Sequence, residues 1–332
     1  MLTCPLNSAQ ASCTFCTVVN PLSCRLSAWM PRAFAWIACA KAMVSSSGCF
    51  KMTLITLSSI PPRFELIGPT LEALVAQEGV DAVEIYLPRY YRRFPDWDGT
   101  LPKVPTGVHI QRVDVDYGPA TKILAAAKHY RGENVQLLFC DDDRDYRPGW
   151  AKGLIAEAER HPDHAVALAG WDIDGLSRRS TFPHPRHKRR SRTWDFSYRA
   201  SRLRQIVTGQ GKAKLAQKPP RKIIAQPGFV DIFEGYGGVI VRPEFFDATS
   251  FNIPQEAFHV DDVWLSGMLT RQGIGIWLAS NLFEPKTTDA DRQDALFRHR
   301  VAEQGRAELD ATAIQFLRQR WNIWGGADAK SS

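Results

Sequence analysis

The run Val135-Gln136-Leu137-Leu138-Phe139-Cys140 stops at three consecutive carboxylates, Asp141, Asp142 and Asp143. That junction constrains the chain more than any other stretch. A β-rich apolar run that ends abruptly in acid predicts a buried strand delivering carboxylates to the carboxyl edge of a sheet. Ligands of open α/β sheets bind at that edge. Clustered carboxylate oxygens there suit a hard divalent cation, Mg2+ or Mn2+, and such a cation suits a diphosphate. A lone Asp triplet is more often a solvated acidic turn capping a helix, here one starting near Gly149. The surrounding pattern decides between the two.

From Thr53 that pattern is a regular alternation. Thr53–Leu57 reads as a strand, Ser58-Ser59-Ile60-Pro61-Pro62 as a turn, and about Glu65 to Gln77 as a helix stopped by Gly79. Val83–Leu87 is the next strand, followed by a Pro-rich loop from Pro88 to Pro105 that carries Tyr90, Tyr91, Arg92, Arg93, Phe94 and Trp97. A strand at Val108–Val113, a turn Asp114–Pro119 and a helix at Ala120–Tyr130 lead to the strand before the triplet. A helix at Trp150–Arg160 and a strand at Ala165–Ala169 complete a β/α order that predicts a mainly parallel, doubly wound sheet flanked by helices. Beyond a basic interruption, Gly235-Tyr236-Gly237-Gly238 forms a tight turn before the strand Val239–Val241. Then His259-Val260-Asp261-Asp262 opens a helix through Leu269, and Ile274–Leu278 is a further strand.

Residues 1–50 differ in kind: they lack Asp and Glu and hold six of the seven cysteines, leaving only Cys140 beyond them. A disulfide framework would be spread through the fold it staples, so a reducing compartment is expected, with Cys140 filling space in the core. We read 1–50 as a disordered or mis-annotated extension, because Met52 directly precedes the first good strand. A principal domain then spans 52–290, and 291–332 forms a helical tail. The apolar stretch from Ala28 to Val44 is broken by Pro31, Arg32 and Lys41, short of the ~20 unbroken residues of a spanning helix. The net charge of +7 favours anionic partners. Between Arg178 and Lys222 the sole acid is Asp195, and the density of charge and proline predicts a long basic insertion or mobile loop over 178–222.

The order of elements, the Asp triplet and the later Asp261-Asp262-Val263-Trp264 helix together resemble the GT-A fold nucleotide-sugar glycosyltransferases, most nearly the bacterial family 2 type. The similarity runs from about Thr53 to Leu282, outside the basic insertion. It implies that Asp141–Asp143 acts as a D-x-D motif, with Asp143 and Asp141 on Mn2+ or Mg2+ and Asp142 on the donor side. It implies that Asp262 is the catalytic base and that Asp261 orients it or the acceptor. Ser58 and Ser59 would face the nucleotide base. Asp116, Gly118 and Lys122 would serve ribose and phosphates, although Asp-Tyr-Gly-Pro-Ala-Thr-Lys stands where many relatives carry Gly followed by Ala-Arg-Asn. Trp171, Asp172 and Tyr236 become candidate sugar or acceptor contacts, with a plain packing role equally open to both aromatics. His299 is the remaining candidate for the metal shell, while His259 reads as a surface or packing residue.

The chemistry suits these residue types. A departing diphosphate gains negative charge that a cation can stabilise, and an attacking hydroxyl must pass its proton to a nearby carboxylate. The expected activity is metal-dependent, inverting transfer of a sugar from a nucleoside diphosphate to a glycan or lipid-linked acceptor. Its expected place is the cytoplasm, at the inner face of a membrane whose anionic lipid the 178–222 stretch would touch. Two alternatives stay open: a retaining or nucleotidyl transferase on the same sheet, and a basic nucleic-acid-binding protein. The second lacks aromatics spaced for base stacking.

Overall fold

The structure is a computed structural model that describes residues 52–174, 181–182, 184–191, 193–208, 219–293 and 305–325. The strands form where apolar and β-branched residues run together. They are β1 (Met52–Leu57), β2 (Ala82–Pro88), β3 (Val108–Val113), β4 (Val135–Phe139), β5 (Ala165–Ala167), β6 (Gly228–Val230), β7 (Val239–Val241) and β8 (Ile276–Leu278). They make one eight-stranded sheet in the order β6-β8-β5-β7-β4-β1-β2-β3. The helices are α1 (Gly68–Val75), α2 (Thr121–His129), α3 (Trp150–Arg160), α4 (Phe196–Val207), α5 (Asp261–Arg271) and α6 (Arg306–Trp321).

The α/β class expected from the sequence is the one observed, with most of the sheet parallel. Two strands run the other way: β7 is antiparallel to both β4 and β5, and β6 is antiparallel to β8. Both follow the basic stretch in the chain. The core lies where the strands are buried on both faces, as at Ile55, Leu57, Leu137, Leu138 and Phe139, each fully enclosed. Burying one such side chain stabilises the fold by about 1.5–3 kcal/mol. Cys140 is fully buried at the end of β4, as a space-filling residue would be.

Topology decides what meets at the site. Parallel pairing sends the carboxyl ends of β1 and β4 to one edge, so Ser58 and Ser59 emerge beside Asp141–Asp143. β7 is antiparallel and Val239 stands opposite Phe139, so its amino end lies at the same edge and brings the Gly235–Gly237 turn with it. Gly238, at φ +91°, closes that turn; a Cβ there would collide with the ring of Trp150 on α3.

Several boundaries differ from expectation. The helix after β1 starts at Gly68, because Pro61–Arg63 forms a separate tight turn first and Pro69 suits an opening turn. The strand expected over 165–169 ends at Ala167, and beyond it Gly170–Trp171 pairs with Ile232–Phe233 outside the main sheet. Where it is described, the basic stretch expected as an insertion or mobile loop over 178–222 holds regular structure. Lys188–Arg189 pairs with Ile224–Gln226, and 196–207 is helical because Asp195 caps α4 at the Tyr198 amide and is itself held by Arg221 at 3.0 Å. Residues 1–50 and His299 lie outside the described residues. Among the described residues no helix is long and apolar enough to cross a membrane.

Candidate active site

A cavity of about 470 Å3 opens at this sheet edge. Ser58, Ser59, Asp116, Gly118, Lys122, Asp141, Asp142, Asp143, Asp261 and Asp262 all line it. The two acidic motifs, far apart in sequence, therefore face one space. Trp171, Tyr236 and His259 line it too. Asp172 is not among the lining residues and is ion-paired with Arg186 instead.

Lys122 joins the motifs. Its ammonium lies 2.6 Å from Asp141 Oδ1 and 3.0 Å from Asp261 Oδ2, buried at the start of α2. Burial alone would lower its pKa, but Asp141, Asp261 and Asp262 together hold it well above the ordinary lysine range. The amine expected to serve phosphate thus has carboxylate partners in the structure. Gly235 makes the arrangement fit, since a Cβ there would lie 2.7 Å from Lys122 Nζ and 3.0 Å from Asp262 Oδ1.

Each carboxylate of the triplet has a distinct setting. Asp141 is the most open; burial alone would raise its pKa, but Lys122, Arg144 and Arg63 together hold it below the ordinary carboxylate value. Asp142 is enclosed: Ser59 donates its hydroxyl to Oδ2, and Arg63 donates to Oδ1 at 2.6 Å. Burial, the larger effect, raises it despite Arg63. Asp143 lies between Arg63 at 3.2 Å and Arg144 at 3.1 Å. Burial, then the charges of Asp141 and Asp142, push it up to about 6. Its Oδ1 is buried without a hydrogen bond, because the Arg144 Nε–H is not aimed at it.

Asp262 occupies the first turn of α5, where the helix amino end favours a carboxylate. Its Oδ1 accepts from the Gly235 amide at 3.1 Å, and Arg306 of α6 stands 3.8 Å from Oδ2. Burial, followed by the adjoining Asp261 charge, pushes Asp262 up to about 8, against the pull of Lys122 and Arg306. A carboxyl poised near neutrality is what a general base needs.

Asp116 accepts from the Arg92 and Gly118 amides, both at 2.8 Å, and so shapes the loop that carries Gly118. Tyr236 donates to Glu284 at 3.0 Å, and the Arg144 guanidinium lies over its ring at 4.8 Å. Sequence reading missed Arg63, Arg144 and Arg306. Arg63 and Arg144 carried a signal, being the first basic residues after the ends of β1 and β4. Arg306 carried none, because only the packing of α6 against α5 brings it here.

The donor set fits a hard divalent cation. Asp141 and Asp143 offer carboxylate oxygens, one of them buried without a hydrogen bond. Among the described residues no group of three or more His, Cys, Asp or Glu is placed to hold a metal ion by itself. An ion such as Mg2+ needs none, since water and substrate phosphate complete its shell.

No protein-family model and no curated protein matches the sequence. Solved structures superpose loosely. Glucosyl-3-phosphoglycerate synthase from Mycobacterium tuberculosis, in complex with Mn2+, UDP and glucosyl-3-phosphoglycerate, is 12% identical over 84% of this chain and 81% of that one, with a TM-score of 0.39. TarS 1–349 of S. aureus is 12% identical over 82% of this chain and 72% of its own, with a TM-score of 0.39. UDP-glucose pyrophosphorylase complexed with UDP-glucose is 11% identical over 82% and 100%, with a TM-score of 0.38. Superpositions this loose carry no argument about activity, so the reading below rests on the cavity.

Proposed function

We propose that the chain is a glycosyltransferase of the GT-A type, which moves a sugar from a nucleoside diphosphate to the hydroxyl of a glycan or lipid-linked acceptor with inversion. One observation carries this reading: the Asp141–Asp143 corner and the Asp261–Asp262 helix start share a single cavity, and Asp262 there is pushed up to about 8. Two acidic groups with different protonation in one site are the mark of divided roles.

Asp262 takes the proton of the acceptor hydroxyl as its oxygen attacks the anomeric carbon. The electron pair of the breaking carbon–oxygen bond passes to the diphosphate, which meets the guanidinium groups of Arg63 and Arg144 lining the same wall. Asp143 with Asp141 would hold Mn2+ or Mg2+, which when bound supplies electrostatic stabilisation of the leaving diphosphate. Lys122 fixes Asp141 and Asp261 relative to one another, and Gly235 fixes Asp262. Ser58 and Asp116, which line the cavity, would serve the base and the ribose.

The test is a thermal-shift screen of nucleoside diphosphates and their sugars with and without Mn2+, followed by transfer assays on the hits. A ligand that binds only the folded chain raises its melting temperature by mass action. Metal-dependent stabilisation by one nucleoside diphosphate, with an inverted product, is the expected result. A retained anomer would remove Asp262 as base, and steeply salt-dependent DNA binding without nucleotide-sugar binding would overturn the reading.

A further inference from the structure

Surface helices turn their apolar stripe inward. α4 does the reverse. Phe196, Ala200, Leu203 and Val207 recur at helical spacing and form one stripe, and all four are exposed. Phe196, Leu203 and Val207 are exposed to 69%, 61% and 75%, with Ile206 beside them at 56%. The positions turned toward the protein are Tyr198, Arg202 and Gln205. Trp194 extends the stripe at 73% exposure, its ring edge-on to Phe196 with centroids 6.3 Å apart. At 100° per residue, Arg199 falls on one flank of the stripe and Arg204 on the other.

We propose that α4 and Trp194 form a docking surface for an anionic lipid bilayer. The stripe would enter the headgroup boundary with Trp194 at the interface, while Arg199 and Arg204 extend sideways to lipid phosphates. Charge selects this occupant. Between residues 178 and 222 the single acid, Asp195, is buried and held by Arg221, so no exposed carboxylate of this segment offsets Arg199 and Arg204. A second copy of this chain would bring the same arginine-flanked stripe against its like, which repels. The surface goes beyond the transferase reading and does not depend on it, because none of these residues lines the cavity.

The experiment is co-sedimentation of the full chain with phosphatidylcholine vesicles, with and without phosphatidylglycerol, alongside size-exclusion chromatography. Binding to the anionic vesicles alone, weakened by salt, is expected. The double substitution Phe196→Ser with Leu203→Ser should lower partitioning at least about tenfold, and Arg204→Ala by about fivefold, with the melting temperature of both variants unchanged. Failure of the native chain to bind anionic vesicles at low salt would overturn the proposal. So would binding that the double variant leaves intact, or a concentration-dependent dimer that the same substitutions dissolve.

Discussion

The cavity and α4 are built from the same charged residue types and treat them in opposite ways. In the cavity Lys122, Arg63 and Arg144 are enclosed and each faces a carboxylate within 3.2 Å. On α4 the arginines stand beside exposed apolar side chains, and the nearby acid is spent on the helix cap. Enclosed charge is fixed in place by its partners and little affected by salt. Exposed charge is weak pair by pair, acts at a distance and is screened. The contrast teaches that position, more than composition, separates the catalytic reading of this basic chain from the adhesive one.

The largest expected effect tests the cavity half of the contrast. Asp262→Asn should cut transfer by about 10²–10⁴-fold while leaving nucleotide binding intact, read by steady-state rates beside calorimetric titration. Equal loss of binding would show that Asp262 belongs to the donor site. Next comes Lys122→Met, which strands Asp141 and Asp261 without a buried counter-charge. It should cost about 3–5 kcal/mol in a denaturant titration; a negligible cost would mean that those carboxylates are protonated in the folded chain.

A smaller effect concerns pH. With Asp262 at about 8, the folded chain keeps a proton that the unfolded chain has already lost above the ordinary carboxylate range. Stability from this group is therefore complete at low pH and declines as pH rises through 8, the reverse of a salt-bridged carboxylate. Asp262→Asn should flatten that decline. Activity, which needs the ionised form, should rise with pH along a limb near 8. Arg306→Ala should move the limb upward, because Arg306 lowers Asp262. Smallest of all, Arg199→Ala or Leu203→Ser should change folding stability by no more than about 0.5 kcal/mol, as exposed positions do. A large loss there would erase the difference between the two regions.

Much of the site was legible because strand ends announce themselves: the apolar run into Asp141–Asp143 and the acidic start of α5 mark an edge without any tertiary knowledge. The sheet's parallel part followed from β/α alternation for the same reason. What stayed hidden depends on three-dimensional convergence. Nothing local marks Arg306 as a neighbour of Asp262, and nothing in Val239–Val241 says that it runs backwards between β4 and β5. The partners of Lys122 stayed hidden as well: a helix start signals anions in general, and only the fold brings Asp141 and Asp261 to this amine. α4 was hidden behind its own charge, since periodicity shows a stripe but not which way it points.

The reversed strand also has a consequence for synthesis. β4 and β5 are never neighbours; β7, made long after both, fills the gap between them. A nascent chain that has delivered both earlier strands must hold an incomplete sheet open while the intervening basic stretch is translated. At about 5–20 residues per second, that wait is on the order of ten seconds. Until Val239–Val241 is made, the facing edges of β4 and β5 lack the strand that joins them.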